Sequence, residues 1–141
     1  MQEVLLLDDR GTGRKHIVVT SINSYVRFIR SDGGLDRQID LNAVHESFHN
    51  QYGRTNTRHP AGGFTMPYAV GLWRRDGNAG PAKLVVARYC AFSFFDERDN
   101  FEGLLWAGGY VLPAMLPSGV DFDNDGRDEQ LCLGNGSLFK L

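Results

Sequence analysis

Carboxylates alternate along one short stretch of the chain, Asp121-Phe122-Asp123-Asn124-Asp125-Gly126-Arg127-Asp128-Glu129. On a tightly turned loop, alternation points several side chains inward at once. A hard cation of calcium's size requires this, because it takes about six to eight oxygens at roughly 2.3–2.6 Å. The spacing predicts side-chain ligands from Asp121, Asp123 and Asp125, a main-chain carbonyl ligand from Arg127, and Glu129 closing the shell as the ninth loop residue. Gly126 permits the sharp turn. The twelfth position is Cys132, where an EF-hand loop carries its bidentate Glu, and a strand rather than a helix is expected to follow. The plainer alternative is an Asp/Asn-rich turn held by side-chain to backbone hydrogen bonds. Clustering four carboxylates without a cation costs repulsion, which favours one structural calcium per chain.

Three of the four histidines fall in a second stretch, at His45, His49 and His59. His45-Glu46-Ser47-Phe48-His49 matches the zincin string, whose two histidines share one helix face and can ligate zinc. Gly53, Thr55, Thr57 and Pro60 cut any such helix to about two turns, and His59 stands at a nonstandard distance for a third ligand. A surface loop is the expected role of this stretch. Asp96, Glu97, Asp99 and Glu102 are the other acid/base candidates, and they bracket an expected hairpin turn whose tip is solvated. Phe92, Phe94, Phe95, Phe101, Trp106 and Tyr110 can stack on sugars, although core packing explains them equally well.

The elements that must position these groups read as β throughout. Short β-branched and aromatic runs at 4–7, 16–22, 25–30, 35–41, 68–73, 83–90, 92–95, 101–106, 111–112, 129–133 and 138–141 are separated by Gly, Asp and Asn clusters. Seventeen glycines in 141 residues suit the many tight turns of an all-β chain. A 42% apolar, 23% charged composition fits one globular domain, and no run approaches the roughly 18 apolar residues of a membrane-spanning helix. The first residues lack the pattern of a secretory signal, and a soluble chain is expected. A net charge of −2 gives no reason to expect nucleic acid. Cys90 and Cys132 form neither a disulfide framework nor a thiolate metal motif.

An internal repeat organises these strands. Segments 8–19, 75–86 and 121–132 superpose without gaps when Gly13, Gly80 and Gly126 are matched, each reading as strand, polar loop and strand. The glycines lie 67 and 46 residues apart; the shorter interval fits one propeller blade of about 40–50 residues, and the polar segment 42–66 accounts for the surplus in the longer. In the first two loops Arg10 and Lys83 stand where the third has Asp123 and Glu129, so neither is expected to hold calcium.

In these residues the chain resembles the FG-GAP or VCBS-type propeller repeat, whose blades carry an Asp-x-Asp-x-Asp-Gly loop between their first two strands. The third copy carries the pattern throughout. The resemblance implies four-stranded antiparallel blades in one partial propeller domain: a blade at 2–41, an inter-blade insertion at 42–66, a blade at 67–112 and the start of a third at 113–141. Propellers close with about four to eight blades, so further blades are expected as partners, from a longer chain or from homo-oligomeric copies. The implied function is binding or assembly with a protein or carbohydrate ligand. Two alternatives are a polysaccharide lyase-like enzyme with active-site residues on 42–66 and a self-assembling sugar-binding lectin. A loop with few carboxylates suits millimolar calcium, hence an extracellular or periplasmic setting.

Overall fold

A computed structural model describes residues 4–8, 13–21, 24–44, 67–74, 82–88, 91–106, 114–115, 119–129, 131–134 and 137–140. Eleven strands form among them. The first sheet takes β1 (Val4–Asp8), β2 (Lys15–Ser21), β3 (Tyr25–Ile29) and β4 (Leu35–Asp40) in the order β1-β2-β3-β4, and the second takes β5 (Pro67–Trp73), β6 (Lys83–Arg88), β7 (Ala91–Phe95) and β8 (Phe101–Trp106) in the order β5-β6-β7-β8. All neighbours in both sheets are antiparallel. A third sheet places β10 (Leu131–Gly134) between β11 (Ser137–Lys140) and β9 (Ala114–Met115). The only helical turn among the described residues spans 41–44. The chain is therefore all-β.

The first two sheets are copies of one another at a constant offset of 66 residues through their third and fourth strands. Ile29 opposite Leu35 becomes Phe95 opposite Phe101, and a β-bulge falls between Phe28 and Ile29 in one sheet and between Phe94 and Phe95 in the other. Their turns match bond for bond. Arg30 N–H donates to the Gly34 carbonyl and Gly33 N–H to that of Arg30, while Asp96 N–H donates to Asn100 and Asp99 N–H to Asp96. Gly33 and Asp99 both hold the left-handed conformation this turn demands, with φ of 83° and 64°. Aspartate tolerates it because its short polar side chain bonds locally.

The gapless superposition is corrected at the first hairpin. Leu6 lies opposite Ile17, and Leu72 lies opposite Leu84. Matching Ile17 to Leu84 thus pairs Leu6 with Leu72, so the connection after β5 is one residue longer than that after β1. Because side chains alternate along a strand, an ungapped match would turn β5 inside out. The strand expected at 111–112 lies outside the described residues, and the pairing there is made by Ala114–Met115.

Alternation also sets the packing. Leu7, Val18, Val26, Phe28 and Ile39 of the first sheet meet Val70, Leu84, Val86 and Phe95 of the second in one buried cluster, which Leu41 of the helical turn joins. The opposite face of the second sheet buries Ala69, Val85, Ala87 and Phe92, with Trp73 and Phe94 against them. Burial on both faces makes β6 a nearly continuous apolar run, Leu84–Ala87. First strands lie side by side, β5 touching β1 on one side and β9 on the other.

A polar clasp ties the first two sheets together. Arg37 of β4 lays its guanidinium 3.8 Å from the centre of the Phe28 ring and donates from Nε to Asp99 Oδ2 at 2.6 Å. Asp99 is thus not part of a solvated tip. Asp99→Asn retains the left-handed residue type but removes the charge, and should cost about 1 kcal/mol of unfolding free energy by urea titration.

Candidate functional site

The acidic loop is built by a narrow hairpin whose base is the bridge between Val120 and Glu129, each N–H bonding the other's carbonyl at 2.9 Å. Between them the backbone turns through left-handed Asn124 and Gly126, with φ of 59° and 86°. That curvature folds the carboxylates inward. Phe122 N–H donates to Glu129 Oε2 at 2.8 Å, Gly126 N–H to Asp121 Oδ2 at 3.0 Å, and Asp125 N–H to Asp121 Oδ1 and Asp123 Oδ1 at 3.2 and 3.3 Å.

Carboxylate oxygens of Asp121, Asp123 and Glu129 lie within 4.8 Å of one another, so this cluster could hold a metal ion. Glu129 is 5% exposed, whereas Asp123 is at the surface. Each pair of charges at this separation repels by roughly 1 kcal/mol in water and about 3–4 kcal/mol at an effective dielectric of 20. Backbone N–H dipoles offset part of that repulsion, and a cation would offset more.

Asp125 is bonded within the turn. Its Oδ1 accepts Arg127 N–H at 2.9 Å, a local turn bond, and it falls outside the three-carboxylate cluster. Arg127 itself is an exposed residue of the same turn. Gly126 has open space where a Cβ would project, so its requirement is conformational rather than steric. Gly126→Ala should therefore cost about 1–2 kcal/mol, and a denaturant titration of the apo protein would register it without any metal present.

Sequence reasoning did not find the seat of the loop. Trp73 Nε1 donates to the Asp128 carbonyl at 2.6 Å, Asp128 N–H reaches the Arg74 carbonyl at 3.2 Å, and Gly119 N–H bonds that of Leu72 at 2.9 Å. The end of β5 thus carries the loop. An open cleft of about 810 Å³ runs beside it, lined among others by Trp73, Phe94, Lys83, Glu102, Asp123 and Glu129. Trp73 and Phe94 meet in a tilted contact, with centroids 5.6 Å apart and ring planes at 48°, and Lys83 Nζ meets Glu102 Oε2 at 2.7 Å.

His45, His49 and His59, with most of the 42–66 segment, lie outside the described residues, as do residues 9–12 and 75–81 of the first two loops and Tyr110. Phe92 and Phe95 are buried and present no face to a ligand. Two basic side chains are buried among the described residues: His16, whose Nε2 lies 3.3 Å from Asp36 Oδ2, and Arg88, whose Nη1 donates to Ser93 Oγ at 3.0 Å. Burial pushes the Arg88 guanidinium down to about 10, so it stays charged at neutral pH.

No protein-family model, curated protein or solved structure matches the chain. No helix among the described residues is long and apolar enough to cross a membrane.

Proposed function

We propose that this chain is a calcium-stabilised β-propeller segment acting in binding or assembly, completed by further blades. One observation carries the reading: three carboxylates converge within 4.8 Å on a loop fastened to the neighbouring sheet. That spread fits within the diameter of a shell of radius about 2.4 Å, inside calcium's range. A bound ion would neutralise the cluster and stiffen the loop across the junction of the second and third sheets, a structural rather than catalytic service.

The propeller part rests on the repeated sheet, its conserved turn and bulge, and the side-by-side first strands. The partners are further blades, from a longer chain or from other copies. Trp73 and Phe94 beside the Lys83–Glu102 pair in the cleft favour a carbohydrate over a protein ligand, since sugars bind through aromatic faces and paired hydrogen-bonding charges. Loops with few carboxylates suit millimolar calcium, which supports an extracellular or periplasmic site of action. Isothermal titration of the metal-free chain with calcium tests the reading. One ion per chain with Kd of about 10⁻⁴–10⁻³ M is expected, and Asp123→Ala should show no binding heat. An unresponsive wild type, or an Asp123→Ala variant that binds equally well, would overturn it.

A further inference from the structure

The exposed face of the first sheet has an occupant written into the second. Its residues Val4, Leu6, Ile17, Val19, Ile29 and Leu35 are opposite one another in register and share one side of the sheet. Val4, Leu6, Ile17 and Leu35 remain 65, 62, 40 and 49% exposed, among the largest apolar exposures of the described residues. Matched through the paired registers, these six residues correspond to Val70, Leu72, Leu84, Val86, Phe95 and Phe101. Those six belong to or pack against the cluster that the first sheet covers. One surface thus occurs twice, once covered and once open.

We infer that the open face of β1–β4 docks a sheet of a second copy of this chain, head to tail, repeating the contact the first sheet makes with the second. The proposal rests on the stacked-repeat reading above and not on the ion. Continuity selects the occupant. The chain stacks its sheets in one direction, β1 against β5 and β5 against β9. The next step of that series on the open face is therefore filled by the third sheet of another copy. Its β10 and β11 segments, Leu-Cys-Leu-Gly and Ser-Leu-Phe-Lys, carry no charge before Lys140. Such a contact joins unlike surfaces, so it either closes a ring, which two copies of three sheets each can complete, or propagates to an open stack.

Native mass spectrometry and light scattering on the full chain across a concentration series test this. A closed dimer or a larger species is expected, and Leu6→Asp should raise the concentration for half-assembly by about tenfold or more. Leu35→Asp, on the opposite side of the same face, serves as the second variant, with circular dichroism confirming that each keeps its β-sheet. A chain that stays monomeric overturns the proposal and leaves the face to a sheet from a longer polypeptide or to an unrelated partner. So does assembly that neither variant weakens. Calcium titration of the same samples separates the two readings: a calcium-binding monomer overturns this proposal alone, and an assembling chain that takes no calcium overturns only the metal reading.

Discussion

Phe95→Ala should destabilise the chain by about 3–5 kcal/mol, the largest effect expected of any single side chain here. Phe95 is 0% exposed, sits edge-on to Phe101 at 5.8 Å between centroids, and belongs to the cluster shared by the first two sheets. Truncation removes apolar burial, leaves a void between two sheets that cannot collapse independently, and forfeits an aromatic contact of about 0.5–1.5 kcal/mol. Against a typical total of roughly 5–15 kcal/mol, such a loss brings the domain near its threshold. Leu35→Ala is the matched control, because Leu35 occupies the register position of Phe101 on the open face and is 49% exposed. In the dissociated chain, at concentrations below assembly, it should cost no more than about 0.5 kcal/mol. Urea midpoints with unchanged slopes would measure both, and equal losses at the two positions would refute the assignment of covered and open faces.

Calcium should supply the second large effect. At about a hundred times its Kd, an ion bound only to the folded chain adds roughly 2.7 kcal/mol. For a chain of this length that corresponds to a melting shift of about 6–12 °C. Chelation should reverse the shift, and Asp123→Ala should abolish it while leaving the apo melt close to wild type, because Asp123 is exposed and its removal relieves repulsion. A melt indifferent to calcium and chelator would contradict the cation role of the loop.

Much of the fold was legible in the sequence because β-sheet leaves local signals. Runs such as Tyr25–Ile29 alternate buried and half-buried residues, and the polar pentapeptide after Phe95 forms the turn its composition required. The 66-residue copy was hidden, since its equivalent turn positions are occupied by Gly33 in one sheet and Asp99 in the other. Backbone conformation is shared there and side-chain identity is not. Aligning on glycines therefore found the second strands but misplaced the first by one residue.

The acidic loop divides in the same way. Alternation announced Asp121, Asp123 and Glu129 as a cluster, because their convergence depends on the local turn. It gave no sign that the carboxylate of Asp125 accepts Arg127 N–H, a choice made by competing backbone donors. The anchoring of the loop by Trp73 spans 55 residues of sequence and depends on how two sheets meet, which no local pattern encodes.

Terbium luminescence offers the most direct measurement of the central claim, that this loop, fastened to the end of β5, cages a calcium-sized ion. The lanthanide takes the same oxygen ligands, and the indole of Trp73, bonded to the Asp128 carbonyl, stands close enough to sensitise it. Excitation of tryptophan should give terbium emission that saturates at one ion per chain, is displaced by excess calcium and falls sharply in Trp73→Phe. Emission that is absent, that calcium does not displace, or that persists unchanged in Trp73→Phe would contradict the account.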